Sequence, residues 1–314
     1  VIPAAFAKAT VDREGAAGAA WLAELPSLAG ELLTRWKCER DGEVMHGEVG
    51  VVVPVQGAVL KVSFPHPGNI HEPDAFAAWG GRGAVHLYER DDTCFAMLLE
   101  RTHSTTLAAH VPTPTPAAKA GDLATIAGNL LRRLMVPAPD GLPRLSDQAE
   151  SWSESLRTDA AELDHALPAA VVDEALAVVD GLCRRQPETV LHGDFHPRNI
   201  LRADREPWLA VDPKGYVGDP AYDAAIFLRT RAYHLHVGDG LTGNDLLQRL
   251  HTELANFAEA AGLDADRIRR WTQLIAVQSA FGVRRQGGHH RARDNAQLVR
   301  LLDLIDHLAV ALTT

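Results

Sequence analysis

The spacing of hydrophobic positions changes once along this chain, near Glu100. Before it, apolar residues come in short β-branched runs. "EVGVVVPV" and "GAVLKVSF" flank Gln56-Gly57, and two such runs around a Gly-containing dipeptide predict a hairpin. "LLTRWKCER" is expected to lead from a small helix into a first strand, with "DGEVMHG" as a Gly-flanked turn. "NIHEPDAFAAWGG" predicts a short helix, with Pro73 tolerated only in its first turn. "AVHLYERDDTCFAMLLE" then gives two strands around a turn at Asp91-Asp92. Five short strands with one helix after the third make a compact half.

After a Pro-rich passage, "HVPTPTPAAKAGD", the period becomes helical. Leu123, Ile126, Ala127, Leu130, Leu131 and Leu134 share one helix face, with Asp122 as the expected N-cap. Further helices are predicted over about 147–166, 171–185, 221–236, 244–261, 265–286 and 294–312. A small β patch interrupts them: "TVLHG", "NILRAD" and "WLAVD". The pattern predicts an α+β chain in two lobes, a strand-rich one over 1–101 and a mostly helical one over 102–314.

Composition narrows the function classes. With 314 residues and 46% hydrophobic positions the chain can bury a large core, and a formal charge of -10 argues against nucleic acid as a partner. Cys38, Cys94 and Cys183 are far apart and odd in number, which predicts neither a disulfide framework nor a zinc site and fits a reducing cytoplasm. Asp12-Arg13-Glu14 interrupts the apolar N-terminal stretch, so no signal peptide is expected. No run reaches the roughly 20 apolar residues of a membrane span, so no membrane association is expected.

The densest chemistry lies in "VLHGDFHPRNIL", residues 190–201. Asp194 is followed by Asn199 five residues on, and Asp212 closes the next apolar run before "DPKGYVGDP". That layout matches a phosphoryl-transfer template: a loop Asp, an Asn at the same spacing, and a metal-binding Asp after the next strand. Asn199 and Asp212 would offer hard oxygens to Mg²⁺. Asp194 would take the proton of an acceptor hydroxyl, and His192, counted with it as catalytic, would set the loop's shape together with Gly193. Lys61, in the predicted third strand, stands where a nucleotide-binding Lys would lie. Glu72, opening the next helix, is its natural partner, with Asp74 as second choice. "MLLERT" would be the hinge, with Leu99 and Arg101 offering backbone groups to the base. No GxGxxG lies between the first strands, so "DGEVMHGEVG" would have to cover the phosphates. Two rival readings stand beside this one. His192, Asp194 and His196 alternate as in some metal-dependent hydrolases, and a pseudokinase-like binding protein would keep the fold without turnover.

With these residues in hand, the chain resembles the aminoglycoside phosphotransferases, and within them the streptomycin 6-phosphotransferase and hydroxyurea phosphotransferase branch. "WGGRGAVHLYERD", "LLRRLMVPAPDGLPRLSDQAESW", "VLHGDFHPRNIL" and "WLAVDPKGYVGDPAYD" carry the resemblance. It implies a bilobal protein-kinase-like fold, ATP (or GTP in its place) with Mg²⁺, and O-phosphorylation of a small-molecule acceptor by a monomer or homodimer. The acceptor it implies is a streptomycin-type aminoglycoside or a hydroxyurea-like antibiotic, phosphorylated in resistance; a metabolic kinase of a sugar or amino sugar is the alternative. It carries over Asp194 as base, Asn199 and Asp212 as metal ligands and Lys61 as phosphate contact. Asp219 and Asp223, in "GDPAYD", match the family's acidic element after the metal Asp, and Asp219 is expected to be mainly structural, bracing the catalytic loop. "VRRQGGHHRARD" departs from expectation. Arg284, Arg285, His289, His290 and Arg291 would repel a polycationic acceptor if they face its pocket; on a solvated helix end they would not.

Overall fold

The computed structural model describes residues 2–110, 122–163, 167–285 and 296–313. The N-terminal part is a five-stranded antiparallel sheet in the order β1-β2-β3-β5-β4. Its strands are β1 (Met45–His46), β2 (Gly50–Val55), β3 (Ala58–Ser63), β4 (Leu87–Asp91) and β5 (Ala96–Glu100). The hairpin expected at Gln56-Gly57 pairs Val55 with Ala58. Alternation along β3 decides the use of each residue. Leu60 and Val62 point to one face and are fully buried against Phe6, Leu25 and Leu32 of α1 (Ala4–Arg35). Val59 and Lys61 point to the other face, where they line a cleft.

α1 is the main departure from expectation in this half. The predicted small helix extends through "LLTR", and the chain turns only at Trp36-Lys37, so no strand follows directly. It breaks at Gly15, where φ is +61°. The first strand instead lies in "DGEVMHG", expected as a turn. α2 (Glu72–Trp79) starts with Pro73 in its first turn, as expected, and ends on Gly80 in the left-handed conformation.

The rest of the chain is mostly helical. α3 (Leu123–Leu134) buries the predicted face, except that Ile126 is only partly covered, and packs along α7 (Gly243–Ala261). Asp122 occupies the N-cap position without capping the helix; its carboxylate instead accepts a hydrogen bond from Asn256 of α7. α4 (Ala149–Glu162) and α5 (Ala169–Val178) pack beside α6 (Pro220–Tyr233) and α8 (Ala265–Arg285), and α9 (Ala296–Ala311) covers α8. α6 is the buried centre, with Ala221, Ala224, Ala225, Phe227 and Leu228 all inaccessible.

The predicted β patch resolves into two antiparallel pairs. β6 (Thr189–Leu191) pairs with β9 (Tyr216–Gly218), a strand not anticipated, and β7 (Ile200–Arg202) pairs with β8 (Trp208–Ala210). These pairs hold the 192–199 and 212–215 loops side by side. The three cysteines are free thiols. No helix among the described residues is long and apolar enough to cross a membrane.

The basic segment near the end of α8 is used differently from either expectation. Arg284 is buried and its guanidinium is bonded twice to Asp306 of α9, at 2.8 and 2.7 Å. Arg285 pairs with Asp159 of α4. Both arginines join helices to one another. His289, His290 and Arg291 lie outside the described residues.

Candidate active site

The sheet's lower face and the loops below it enclose a cleft of about 760 Å³. Lys61, Glu72, Asn199 and Asp212 all line it, together with Leu99 and Arg101 of the hinge. Residues far apart in sequence therefore converge as their motif spacing suggests.

Lys61 is the hub. Its Nζ donates to Glu72 Oε1 at 2.6 Å and to Asp212 Oδ1. Glu72 rather than Asp74 is the partner; Asp74 accepts instead from Arg90 at 2.9 Å. Burial opposes the charge on Lys61, yet the two carboxylates outweigh it and hold the ammonium above its ordinary pKa. The Lys61 charge holds Asp212 below the usual carboxylate range. Burial, with Asp212 as a like charge nearby, pushes Glu72 up to about 7 despite its bond to Lys61. One ammonium thus serves two carboxylates, and Asp212, its side chain half-exposed, is the more accessible of the two.

Asp212 has φ +59°, an uncommon conformation for a residue with a side chain. Such strain persists only where the surroundings enforce it. Here Lys214 N–H donates to His192 O at 2.6 Å, and Val211 N–H to Asn199 O at 2.9 Å, tying the two loops together. Gly215, at φ +70°, presses against the His71 carbonyl at the start of α2, where a Cβ has no room. The 212–215 loop thereby touches the helix that carries Glu72.

The 192–199 loop is fixed from below. Asp223, on the first turn of α6, accepts the backbone N–H groups of His192 and Gly193, both at 2.8 Å. Burial pushes the Asp223 carboxyl up to about 7, and those two bonds pull the other way. Bracing of the loop, expected of Asp219, is the work of Asp223. Asp219 caps α6 through Ala221 N–H and accepts from Arg267 at 2.5 Å and Trp271 at 2.6 Å, joining α6 to α8. The two carboxylates are one helical turn apart, so "GDPAYD" placed both; the sequence offered nothing to tell which would reach the loop.

His192 is fully buried between Trp79 and Phe195. Its Nε2–H donates to Val211 O at 2.8 Å and its Nδ1 accepts from Asp194 N–H at 3.3 Å. Burial pushes the imidazole down to about 4, so it stays neutral. With no exposed surface and both nitrogens committed, it cannot touch a substrate or ligate a metal. The expected catalytic assignment therefore becomes a positioning one, and the hydrolase reading loses its first ligand. Among the described residues no group of three or more His, Cys, Asp and Glu side chains is arranged to hold a metal.

Asp194 lies at the boundary of two spaces. Asn199 Nδ2 donates to its backbone oxygen at 3.0 Å and approaches a carboxylate oxygen at 3.4 Å. Its carboxylate, one-third exposed, faces a second cavity of about 320 Å³ with Tyr222, Arg229, Gln278 and Ser279. With the Asn199 amide nitrogen directed at Asp194, its carbonyl oxygen would be left for a cation in the first cleft, which Asp212 also lines. Two hard oxygen donors on one cleft would suit Mg²⁺, which takes few protein ligands and completes its shell with phosphate and water.

At the hinge, Leu99 is buried within the sheet. The Arg101 side chain ties the end of β5 to Val55 O at 3.1 Å and to Asp41 at 2.9 Å. Arg205, not singled out from the sequence, clamps Glu100 and the Ala84 carbonyl. It lies in a loop of ordinary composition, so no sequence signal marked it.

A family model described as aminoglycoside/hydroxyurea antibiotic resistance kinase matches residues 35–287. The chain is 32% identical over 285 residues to the streptomycin 6-kinase of Streptomyces glaucescens, covering 89% of this chain and 90% of that one. It is 32% identical over 288 residues to the hydroxyurea phosphotransferase of Kitasatospora aureofaciens, covering 89% and 79%. Among solved structures, the choline/ethanolamine kinase family protein from Mesorhizobium loti superposes with a TM-score of 0.56 at 16% identity, over 94% of this chain and 97% of that one. The shared architecture is the protein-kinase-like fold, and a nucleotide substrate goes with kinase relatives. With Lys61, Asn199 and Asp212 lining one cleft and Asp194 lining the cavity beside it, the chain belongs to the aminoglycoside/hydroxyurea antibiotic resistance kinases, phosphotransferases acting on small-molecule hydroxyl groups.

Proposed function

We propose that this chain transfers the γ-phosphoryl group of ATP to a hydroxyl of a small antibiotic-type molecule lying against Asp194. Its relatives are named for streptomycin and hydroxyurea, and those two define the acceptors to try first. The observation that carries the reading is the division of labour across the catalytic loop: Asn199 and Asp212 line the nucleotide-sized cleft, and Asp194 lines the smaller cavity beside it.

In this reading the base lies in the cleft against Leu99 and Arg101 at the end of β5. Leu99 is paired on both sides within the sheet and the Arg101 N–H donates to Gly57 O, so they offer it packing surface more than free N–H groups. Lys61 exchanges its Asp212 contact for the α- and β-phosphates while Glu72 keeps it in place. Asp212, released, and Asn199 would hold Mg²⁺. The bound cation would neutralise charge developing on the transferred phosphoryl group. Asp194 orients the acceptor hydroxyl and takes its proton as the oxygen–phosphorus bond forms and the bond to the ADP oxygen breaks. Asp223 and His192 contribute by fixing the loop that aims Asp194. Transfer of this kind needs positioning and charge neutralisation more than covalent help, which fits a site built of fixed loops.

The test is phosphate transfer from γ-labelled ATP, with Mg²⁺ present or chelated, to hydroxyurea, streptomycin and amino sugars. A labelled acceptor that appears only with Mg²⁺ and is lost in Asp212→Ala supports the reading. Transfer that is metal-independent, or that survives Asp212→Ala, contradicts it. Nucleotide binding without transfer to any acceptor would return the pseudokinase reading.

A further inference from the structure

The second cavity has an unusual charge balance. Asp194 is the one carboxylate among its described lining residues, and it is the proposed proton acceptor. Facing the same space is Arg229 of α6, half-buried and without a carboxylate partner among the described residues. Its neighbour Arg231, two residues on, is by contrast bonded twice to Glu253, at 2.8 Å each. The arginines first suspected from the sequence, Arg284 and Arg285, are likewise paired. Arg229 alone among these is left with its fork of donors toward a cavity.

Arg229 and Ser279 also line a neighbouring apolar groove of about 500 Å³ between α6, α8 and α9, with Val283, Leu301, Leu304 and Leu308. No acidic side chain lines that groove among the described residues. A guanidinium in a partly dry site recognises carboxylate or carbonyl oxygen through paired donors and repels another cation. A polycation would instead need carboxylates beyond the one assigned to proton transfer.

We propose that Arg229 is a specificity-determining residue. It binds a carboxylate or carbonyl oxygen of the acceptor next to the hydroxyl held by Asp194, and the groove takes an apolar portion of the same molecule. The acceptor class this favours is a hydroxylated compound with an oxygen-accepting group, so of the two acceptors to try first it favours the hydroxyurea type over the polycationic streptomycin. This inference rests on the kinase reading of the site.

The test uses two probes of matched shape, 4-(hydroxymethyl)benzoate and 4-(hydroxymethyl)benzylamine. Their affinities are measured by calorimetry on the full chain with Mg-ADP bound, and their phosphorylation is followed with ATP. The wild type prefers the carboxylate by about tenfold or more. Arg229→Gln removes the preference, Arg229→Glu reverses it, and Arg229→Lys retains much of it. An ammonium probe bound as well as the carboxylate, a preference unchanged in Arg229→Gln, or no binding of either probe overturns the proposal. Asp194→Asn is run alongside with whichever acceptor is turned over. Asp194-dependent ADP release with no role for Arg229 sinks only the acceptor assignment, whereas ADP release that ignores Asp194 sinks the kinase reading itself.

Discussion

Asp223 accepts the backbone N–H groups of both His192 and Gly193 at 2.8 Å, so one buried carboxylate sets the height and tilt of the loop that carries Asp194. Replacing it by Asn turns an N–H donor toward one of those N–H groups. An unsatisfied buried donor costs about 1–3 kcal/mol. Asp223→Asn is therefore expected to lower stability by that amount and to reduce kcat by about tenfold or more, with nucleotide KM changed little. Denaturant titration together with steady-state kinetics checks it. An unchanged kcat would mean that the loop keeps its shape without Asp223.

Lys61 and Glu72 are both nearly buried and 2.6 Å apart, so neither tolerates loss of the other. Breaking a buried pair by removing one member costs about 3–5 kcal/mol, because a charge is left unpaired. Lys61→Ala is expected to show that cost. Lys61→Ala combined with Glu72→Gln should be less destabilised than the sum of the single changes, since the buried Glu72 carboxylate is then not stranded and only the half-exposed Asp212 loses its partner. A double-mutant cycle by thermal unfolding reads the difference directly. Simple additivity would show that the contact carries no coupling.

The buried, neutral His192 gives a pH signature of known sign. Its folded pKa, about 4, lies below the ordinary value of about 6.5. Between those values the unfolded chain binds a proton that the folded chain does not, so stability present above pH 6.5 is lost as pH falls toward 4. Asp223, pushed up to about 7, acts in the opposite sense, because its folded form takes a proton first. The comparison that isolates His192 is wild type against His192→Gln. The advantage of wild type at pH 7 should shrink by about 2–3 kcal/mol by pH 4.5. An advantage constant over that range would show that the imidazole is not held neutral.

Gly215 joins the metal-side loop to α2. It sits at φ +70° against the His71 carbonyl, where an added Cβ has no room. Gly215→Ala must shift either the loop or the start of α2, on which Glu72 lies. The expected outcome is a loss of about 1–3 kcal/mol in stability and a rise in nucleotide KM. Stability and KM that both match wild type would show that the 212–215 loop and α2 are not mechanically joined.

Much of this site was legible in the sequence because its chemistry is local in the chain. The Asp194–Asn199 spacing lies within one loop, and Lys61 follows from counting strands. The hairpin at Gln56-Gly57 and the Pro73 helix start were readable for the same reason: turn and cap residues act on their immediate neighbours. What escaped depended on tertiary packing. "LLTR" is apolar enough for either helix or strand, and burial of Leu32 against Phe6, Leu25 and the sheet settled it as helix. β9 has only three residues, and its partner lies far upstream in β6. Which of Asp219 and Asp223 would reach the loop depended on the rotation of α6. Arg284 stood out in a basic segment and Arg229 did not, and only tertiary packing shows the first paired with Asp306 and the second facing a cavity.

The central claim is that Asp194 takes the proton of an acceptor hydroxyl during phosphoryl transfer, and single-turnover kinetics of Asp194→Asn tests it most directly. The enzyme is pre-loaded with Mg-ATP and mixed with the best acceptor found, and phosphorylated product is counted over time. Asn preserves the shape of the side chain but cannot accept the proton, and losing a general base costs about 10²–10⁴-fold. The account predicts a transfer rate lowered by that factor, with Mg-ATP affinity near wild type because Asp194 lies outside the lining of the nucleotide cleft. A transfer rate within a few-fold of wild type would contradict it.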